Sequence, residues 1–245
     1  MQIQYVSDLH LEFLKTIPKI TPRAKTLVLA GDIGYPHQPI YAAFLKDVSS
    51  KFEKVFLIAG NHEYYTQNTC MMEDVDNQIQ EIIEKHSLEN VSFLNYDYED
   101  YQGVRFVGIP LWSQIKDPKY LINDFVAIKH MSTELYNELH AMGCELIEEM
   151  LEHSEIPIVM ITHHMPSYQL IDPMYSGPNI APYNQCFASH CDDLIRDPIV
   201  LWIYGHTHQP SDTYINSVRL VCNPKGYPGE NQILETTVVT VSSKP

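Results

Sequence analysis

The sequence has few basic residues for its length. Its 245 residues include 16 Lys and Arg against 31 Asp and Glu, which gives a formal net charge of −15 at pH 7. Such an acidic surface repels the phosphate backbone of nucleic acids, so an extended nucleic-acid binding surface is not expected. Hydrophobic residues make up 44% of the chain and charged residues 19%. This balance is typical of a globular protein and excludes the disordered and fibrous classes.

Long apolar runs and paired cysteines are also missing. No apolar stretch reaches the length that crosses a membrane, and the N-terminus lacks the basic and apolar regions of a secretory signal. The five cysteines form no C-x-x-C pair, so we expect reduced thiols and not a disulfide framework. Cys186 and Cys191 flank His190, but their spacing favours ordinary residues over a zinc site. We therefore expect no membrane span or targeting segment, and a location in the cytoplasm.

Short runs rich in Val, Ile and Leu recur along the chain, at residues 3–6, 26–30, 55–59, 158–161 and 200–204. Their length and composition predict strands that are buried on both faces. Helical patterns lie between them at 40–50 and 73–86, and shorter β-like segments follow at 91–109. Further strands are predicted at 217–222 and 236–241. The pattern predicts an α/β protein in which a second sheet forms a layered sandwich with the first.

A long helix is predicted after Ser132 or Thr133, either of which can cap its first turn. Its apolar stripe would contain Leu135, Leu139, Met142, Leu146 and Met150, packed into the core. Trp112 precedes this helix in a less regular stretch, where it would either pack in the core or face a substrate. We expect a single domain over residues 1–245, with a small cap or insert at about 112–153.

Polar clusters follow the apolar runs: Asp8-Leu9-His10, Gly31-Asp32, Gly60-Asn61-His62-Glu63, His163-His164 and Gly205-His206-Thr207-His208. Each cluster alone is a weak signal, but together they hold six of the twelve histidines. Loops at the carboxyl ends of parallel strands converge, so these side chains can share one site. Imidazole, carboxylate and amide ligands suit Mn, Fe, Zn or Ni. The D-x-H and H-x-H spacing favours two cations that share a bridging ligand over a single closed tetrahedral site.

The five clusters, in this order from residue 8 to residue 208, resemble the calcineurin-like metallophosphoesterase superfamily, whose pattern is D-x-H, GD, GNH[ED], H and GHxH. The segments SDLHLEF, VLAGDI, GNHEYY, LWS, NDF, THHxPS, LWIYGHTH and NPxGY are similar to a bacterial and phage branch of that superfamily. The resemblance covers residues 5 to about 230. It implies a four-layer α-β-β-α sandwich with the metal site at the carboxyl edge of the strands.

By position, the resemblance implies a role for each residue of these clusters. One cation would be held by Asp8, His10 and His208, and the other by Asn61, His163 and His206, with Asp32 bridging the two. Both cations would be divalent, with Mn favoured. A hydroxide between them would attack phosphorus in line with the leaving oxygen. His62 would stabilise the transition state or protonate the leaving oxygen.

His164, Lys225 and Glu63 each allow two interpretations. Of His163 and His164, we choose His163 as the ligand because it follows the apolar run directly; His164 would then support the ligands or contact substrate. Lys225, in the segment N-P-K-G-Y, would contact a phosphate or lie on the surface. Glu63 would either interact with His62 or its loop, or be a solvated or helix-starting acid.

One departure from the superfamily concerns the protein phosphatases, which carry G-D-x-x-D-R-G. This chain has Gly31-Asp32-Ile33-Gly34-Tyr35-Pro36, without the second Asp that orients the catalytic histidine and without the Arg. A protein phosphatase is therefore not favoured. The sequence instead predicts a hydrolase of small phosphate esters, with phosphodiesters such as cyclic nucleotides or nucleotide-like compounds preferred. A nuclease and a catalytically silent scaffold are the alternatives, whereas a serine hydrolase lacks its G-x-S-x-G motif.

Overall fold

The computed structural model describes residues 1–231 and 237–242 of the chain. Its strands are β1 (Gln2–Val6), β2 (Thr26–Ala30), β3 (Lys54–Ile58), β4 (Val91–Phe93), β5 (Asp97–Tyr101), β6 (Val104–Ile109), β7 (Ile158–Thr162), β8 (Ile199–Tyr204), β9 (Ser211–Ile215), β10 (Val218–Cys222) and β11 (Val238–Thr240). Its α-helices are α1 (Pro39–Ser49), α2 (Met72–Lys85), α3 (Asp124–Ala127) and α4 (Thr133–His153). Short 3-10 turns cover Leu11–Phe13, His62–Tyr64, Tyr168–Leu170, Pro173–Tyr175, Ala181–Cys186 and Asp192–Leu194.

The strands form two sheets. The first has the order β11-β1-β2-β3-β4, and the second has the order β5-β6-β7-β8-β10-β9. Neighbouring strands from β1 to β4 are parallel, as are β6, β7, β8 and β10, whereas β11, β5 and β9 are antiparallel edge strands. In the first sheet Tyr5 pairs with Val28, which in turn pairs with Phe56. Because the inner strands are parallel, their carboxyl ends lie at the same edge of each sheet.

The sheets pack face to face, with helices on both outer faces. The layer between them contains Phe56 and Phe106, whose rings stack with centroids 4.0 Å apart. Phe44 of α1 packs on the outer face of the first sheet together with Ile79 of α2, and Ile147 of α4 packs on the outer face of the second. The predicted four-layer α-β-β-α sandwich is confirmed.

The face that α4 buries agrees with the prediction only in part. Met150 is buried, and Leu135, Leu139 and Leu146 pack partly buried against the core. The Ser132 hydroxyl does accept the backbone N–H of Leu135 at 3.2 Å, as a helix cap should. Met142 of the predicted stripe, however, is 52% exposed. The buried line runs through Tyr136, His140, Gly143, Ile147 and Met150. Gly143 lies on this line, where a Cβ would meet Leu111 Cδ1 at 3.4 Å, an ordinary van der Waals distance. The helix, which lies within the predicted cap, thus packs into an outer layer of the sandwich.

The C-terminal strand is shorter than predicted. It is observed as β11, whereas Thr236 of the predicted strand lies outside the described residues. Among the helices of residues 1–231 and 237–242, none combines the length and the apolar composition that a bilayer crossing requires.

Candidate metal centre

The polar clusters of the sequence lie in the loops that follow β1, β2, β3, β7 and β8. Five of the predicted ligands have left-handed backbone conformations: Asp8 (φ 53°), His10 (φ 48°), Asp32 (φ 53°), His206 (φ 68°) and His208 (φ 52°). A left-handed backbone conformation costs a non-glycine residue on the order of 1–3 kcal/mol of conformational free energy. Such strain persists only where the surrounding structure fixes it. The loops are therefore held in conformations that their sequence would not choose locally.

One group of side chains contains Asp8, His10 and His208. The Nε2 atoms of the two histidines lie 3.0 Å apart, and His208 Nε2 lies 3.5 Å from Asp8 Oδ1. His10 Nε2 also lies 3.8 Å from Asp32 Oδ2. One donor atom from each of Asp8, His10 and His208 falls within 4.8 Å of the others. This spacing allows a single cation to contact all three.

A second group contains Asp32, Asn61, His163 and His206. His163 Nε2 lies 3.4 Å from Asp32 Oδ2 and 3.1 Å from Asn61 Oδ1. Donor atoms of Asp32, His163 and His206 also fall within 4.8 Å of one another. The same Asp32 oxygen thus faces both groups, in the position of a shared ligand.

The outer nitrogens of the histidine rings are hydrogen-bonded so that the inner nitrogens face the groups. The Nδ1 atom of His10 lies 2.9 Å from Glu12 Oε1, that of His163 lies 2.9 Å from the Ala30 carbonyl, and that of His208 lies 2.8 Å from Glu230 Oε2. In His206 it is Nε2 that lies near a carbonyl oxygen, that of Cys186, at 3.3 Å. Donation from the outer nitrogen leaves the inner lone pair free to bind a metal. The donor set therefore fits divalent cations.

Charge and burial act against each other in this centre. Burial alone would raise the pKa of the Asp32 carboxyl, but the neighbouring charges of His163, His62 and His10 hold it well below its usual range. Burial likewise opposes protonation of His163, yet Asp32 outweighs it and raises the pKa of the ring to about 10. The carboxylate at the shared position is thus strongly held in its charged form, as a metal ligand must be.

Asn61 is oriented by a buried carboxylate. Its amide Nδ2 donates to Asp124 Oδ1 at 2.8 Å, which turns its Oδ1 toward His163. Asp124 also accepts the hydroxyls of Tyr65 at 2.6 Å and Tyr136 at 3.1 Å. Burial raises the pKa of Asp124. The sequence shows Asp124 only as part of the N-D-F segment, because no local pattern connects Asp124 to Asn61, which lies 63 positions away.

His62 lies beside the groups with one nitrogen held and the other toward the cavity. Its Nδ1 lies 3.0 Å from Glu12 Oε1, and its Nε2 lies 3.4 Å from the Tyr227 hydroxyl. Its ring stacks on Tyr65 with centroids 4.2 Å apart. Burial would lower the pKa of His62, but Asp32 and then Glu12 raise it to about 9.

Glu12 places a carboxylate beside the His62 ring, a contact that the sequence suggested for Glu63. It was not identified from the sequence, although it stands two positions after the D-x-H motif. Its side chain is only 2% exposed, and its Oε1 faces the Nδ1 atoms of both His10 and His62. An acid buried between two histidines is compatible with a role in positioning both rings.

Glu63 is fully buried, so its interpretation as a solvated acid is wrong. Its carboxylate accepts the backbone N–H groups of Asp32 (3.0 Å), Ile33 (2.7 Å), Gly34 (3.2 Å) and Gly60 (2.7 Å). Burial, followed by the charge of Asp32, raises the pKa of Glu63 to about 7. Glu63 therefore joins the loop after β2 to the loop after β3. This agrees with the other interpretation, in which Glu63 contacts the loop that carries His62. Gly31 in the same loop allows His163 to approach closely, since a Cβ on Gly31 would lie 2.5 Å from His163 Nδ1.

His164 and Lys225 do not line the cavity above the groups, as far as the described residues show. His164 is fully buried, with Nδ1 3.1 Å from the Pro110 carbonyl and Nε2 3.0 Å from the Tyr136 hydroxyl. Both nitrogens are therefore occupied, which favours the supporting role over the substrate contact. Trp112 is also fully buried and packs on Tyr136, so it belongs to the core.

A cavity of about 720 Å³ opens above the two groups. Its floor includes Asp32, Asn61, His62, His206 and His208. Its apolar wall comes mostly from residues 165–187 and includes Met165, Ile171, Met174, Ile180, Tyr183 and Phe187. Of the predicted cap at 112–153, only Ile122 and Asn123 are among the described residues that line it. The wall was not foreseen because 3-10 turns give no periodic apolar pattern.

The chain is similar to known proteins along most of its length. The family model described as calcineurin-like phosphoesterase matches residues 1–210. The uncharacterised protein L509 of Acanthamoeba polyphaga mimivirus is 28% identical over 262 aligned residues, which cover 93% of this chain and 92% of that protein.

Solved structures also match. Phosphopantetheinyl hydrolase PptH from Mycobacterium tuberculosis superposes with a TM-score of 0.71 at 18% identity, covering 94% of this chain and 90% of that one. The calcineurin-like phosphoesterase YfkN from Bacillus subtilis gives a TM-score of 0.46 at 13% identity, covering 91% and 80%. The likeness to PptH, at this identity, shows a shared fold.

Proposed function

Since the chain belongs to the calcineurin-like phosphoesterase family, we propose that it hydrolyses small phosphodiesters with two divalent cations, Mn²⁺ being favoured. The observation that carries the proposal is the pair of ligand groups that share Asp32 at the foot of one cavity. Asp8, His10 and His208 would hold one cation. Asn61, His163 and His206 would hold the other.

The residues around the cations have separate tasks in this proposal. Two bound divalent cations acidify a water molecule for attack on phosphorus and neutralise charge on the phosphate oxygens. Asp124 fixes the Asn61 amide with its oxygen inward. Glu12 holds Nδ1 of His62, so Nε2 is the atom that faces the leaving oxygen and donates its proton. Lys225 is not among the described residues that line the cavity, so the phosphate contact proposed for it would require its side chain to turn toward Tyr227, which does line the cavity from the same loop.

The cavity supports a substrate larger than a bare phosphate. Its wall includes Met165, Ile171 and Phe187, and Phe187 stacks on His206 with centroids 4.6 Å apart, so an organic group would pack directly beside the reacting phosphorus. Cyclic nucleotides and nucleotide-like diesters are the proposed substrates. Phosphopantetheine-type diesters form a second class for testing, because PptH, the solved structure with a TM-score of 0.71, is a phosphopantetheinyl hydrolase. The five free thiols support a cytoplasmic location.

The test is a turnover assay on bis- and mono-nitrophenyl phosphate with chelated, Mn²⁺-loaded, Zn²⁺-loaded and Ni²⁺-loaded protein. Asn61→Ala should abolish metal-dependent diester cleavage, whereas Asn77→Ala on the exposed side of α2 should leave it unchanged. Cleavage of the monoester alone would contradict the diester proposal. No turnover with any metal would instead favour the silent scaffold, and cleavage of short DNA would favour the nuclease.

A further inference from the structure

A second set of metal-type side chains lies outside the candidate metal centre. His140 and Cys144 are one turn apart on α4, and Cys191 directly precedes the 3-10 turn Asp192–Leu194. Cys144 Sγ lies 3.7 Å from Cys191 Sγ and 3.6 Å from His140 Nε2. All three ligand atoms fall within 4.8 Å of one another. Two segments separated by 47 positions in the sequence thus bring two thiols and an imidazole together.

Two of the three separations match the edges of a zinc coordination tetrahedron. With Zn–S bonds of about 2.3 Å and Zn–N bonds of about 2.0–2.1 Å, a tetrahedral angle separates two sulfurs by about 3.8 Å and a sulfur from a nitrogen by about 3.5 Å. The Cys144–Cys191 and Cys144–His140 separations agree with these values to within about 0.1 Å. Two thiols and an imidazole are also the soft and borderline donors that zinc prefers.

The surroundings hold the donors ready for a cation. His140 Nδ1 lies 3.1 Å from the Leu111 carbonyl, so Nδ1 carries the proton and the Nε2 lone pair faces the thiols. His140 and Cys191 are buried, and Cys144 is half-buried.

We propose that His140, Cys144 and Cys191 form a zinc site separate from the candidate metal centre, with water in the fourth position. The zinc site would tie α4 to the segment after β7, because the backbone N–H of Cys191 donates to the Pro166 carbonyl at 2.9 Å. That segment follows His163 directly, so the zinc site would stabilise one wall of the catalytic cavity. Cys186 takes no part, since its thiol donates to the Tyr120 carbonyl at 3.4 Å.

Cobalt distinguishes the two sites, because only a thiolate ligand gives a near-ultraviolet charge-transfer band with Co²⁺. The full chain is reduced, stripped with a chelator and titrated with Co²⁺. We expect the band to reach the intensity of one thiolate-bound Co²⁺ per chain within about three equivalents, because the other centre can take up two, and to disappear when Zn²⁺ is added. Cys144→Ser and Cys191→Ser should lose the band. Cys70→Ser, a half-buried thiol elsewhere, and Asp32→Asn in the other centre should both keep it.

Thermal unfolding supplies a second measurement. Zn²⁺ should raise the Tm of Asp32→Asn, in which the other centre lacks its shared carboxylate, by more than that of Asp32→Asn combined with Cys144→Ser, since the remaining ligands of that centre are present in both. The metal-free forms of these two proteins should unfold at similar temperatures, which shows that the serine is tolerated. A missing band in fully reduced protein would overturn the proposal. A band that survives Cys144→Ser would overturn it too, as would a Cys144–Cys191 disulfide whose reduction restores no metal binding.

Discussion

Glu12→Gln is the substitution that most directly tests how His62 is positioned. In the wild type, one carboxylate oxygen faces His10 Nδ1 at 2.9 Å and His62 Nδ1 at 3.0 Å. Glutamine keeps the shape and an oxygen acceptor but removes the negative charge. Hydrogen bonds to charged groups contribute roughly 1.5–3 kcal/mol, against roughly 0.5–1.5 kcal/mol for neutral ones. Weakening two bonds by about 1 kcal/mol each predicts a loss of about 2 kcal/mol, or about 30-fold in kcat/KM.

The assay is the pH profile of kcat/KM for bis-nitrophenyl phosphate at saturating Mn²⁺. Glu12 is among the charges that raise the pKa of His62, so its neutral replacement lowers that pKa. A group that must be protonated to donate then loses its proton at lower pH, and the alkaline limb of the profile moves to lower pH. Glu53→Gln, at an exposed pair with Lys25, is the matched control. Wild-type kcat/KM with an unmoved alkaline limb in Glu12→Gln would refute the positioning role.

Three further predictions concern the supports of the site and the fold. Asp124→Ala releases the Asn61 amide and should weaken Mn²⁺ binding by about 10–100-fold, measured by calorimetry; unchanged affinity would contradict the orienting role. Gly31→Ala, at φ 82° and with its Cβ 2.5 Å from His163 Nδ1, should destabilise the fold by about 1–3 kcal/mol in urea unfolding, and wild-type stability would refute the close approach. Burial raises the pKa of Asp76 to about 6. From about pH 4 to about pH 6 the folded state therefore keeps a proton that the unfolded state has released, and the free energy of unfolding falls as the pH rises across this range. Asp76→Asn lacks this loss and should gain up to about 3 kcal/mol relative to wild type between pH 4 and pH 7; a stability difference that is constant across this pH range would contradict it.

The inner strands, and the convergence of the proposed ligand side chains at one edge, could be predicted from the sequence because both leave local signals. Apolar runs of about five residues identify buried strands, and β2 begins and ends as predicted. Asp32 and His163 follow such runs directly, and parallel strands then bring them to one edge of the sandwich.

Contacts between distant segments leave no such signal. Glu12 acts on His62 across 50 positions, and nothing in L-H-L-E-F identifies which residue its carboxylate meets. The buried face of α4 includes His140 and Gly143, which an apolar pattern does not select. Cys144 and Cys191 meet only because α4 packs beside the turn that follows Cys191.

The four backbone N–H groups that converge on Glu63 have a consequence for the order of assembly. They join the loops after β2 and β3 through the protein alone. Conformational entropy for these loops is therefore lost when the chain folds, not when a cation arrives. In a zinc finger, metal binding and folding are a single event. This chain should instead fold first and then bind metal ions at a preformed site. Exchange of one metal for another would leave the architecture unchanged, so cellular supply would help to decide which ions occupy it.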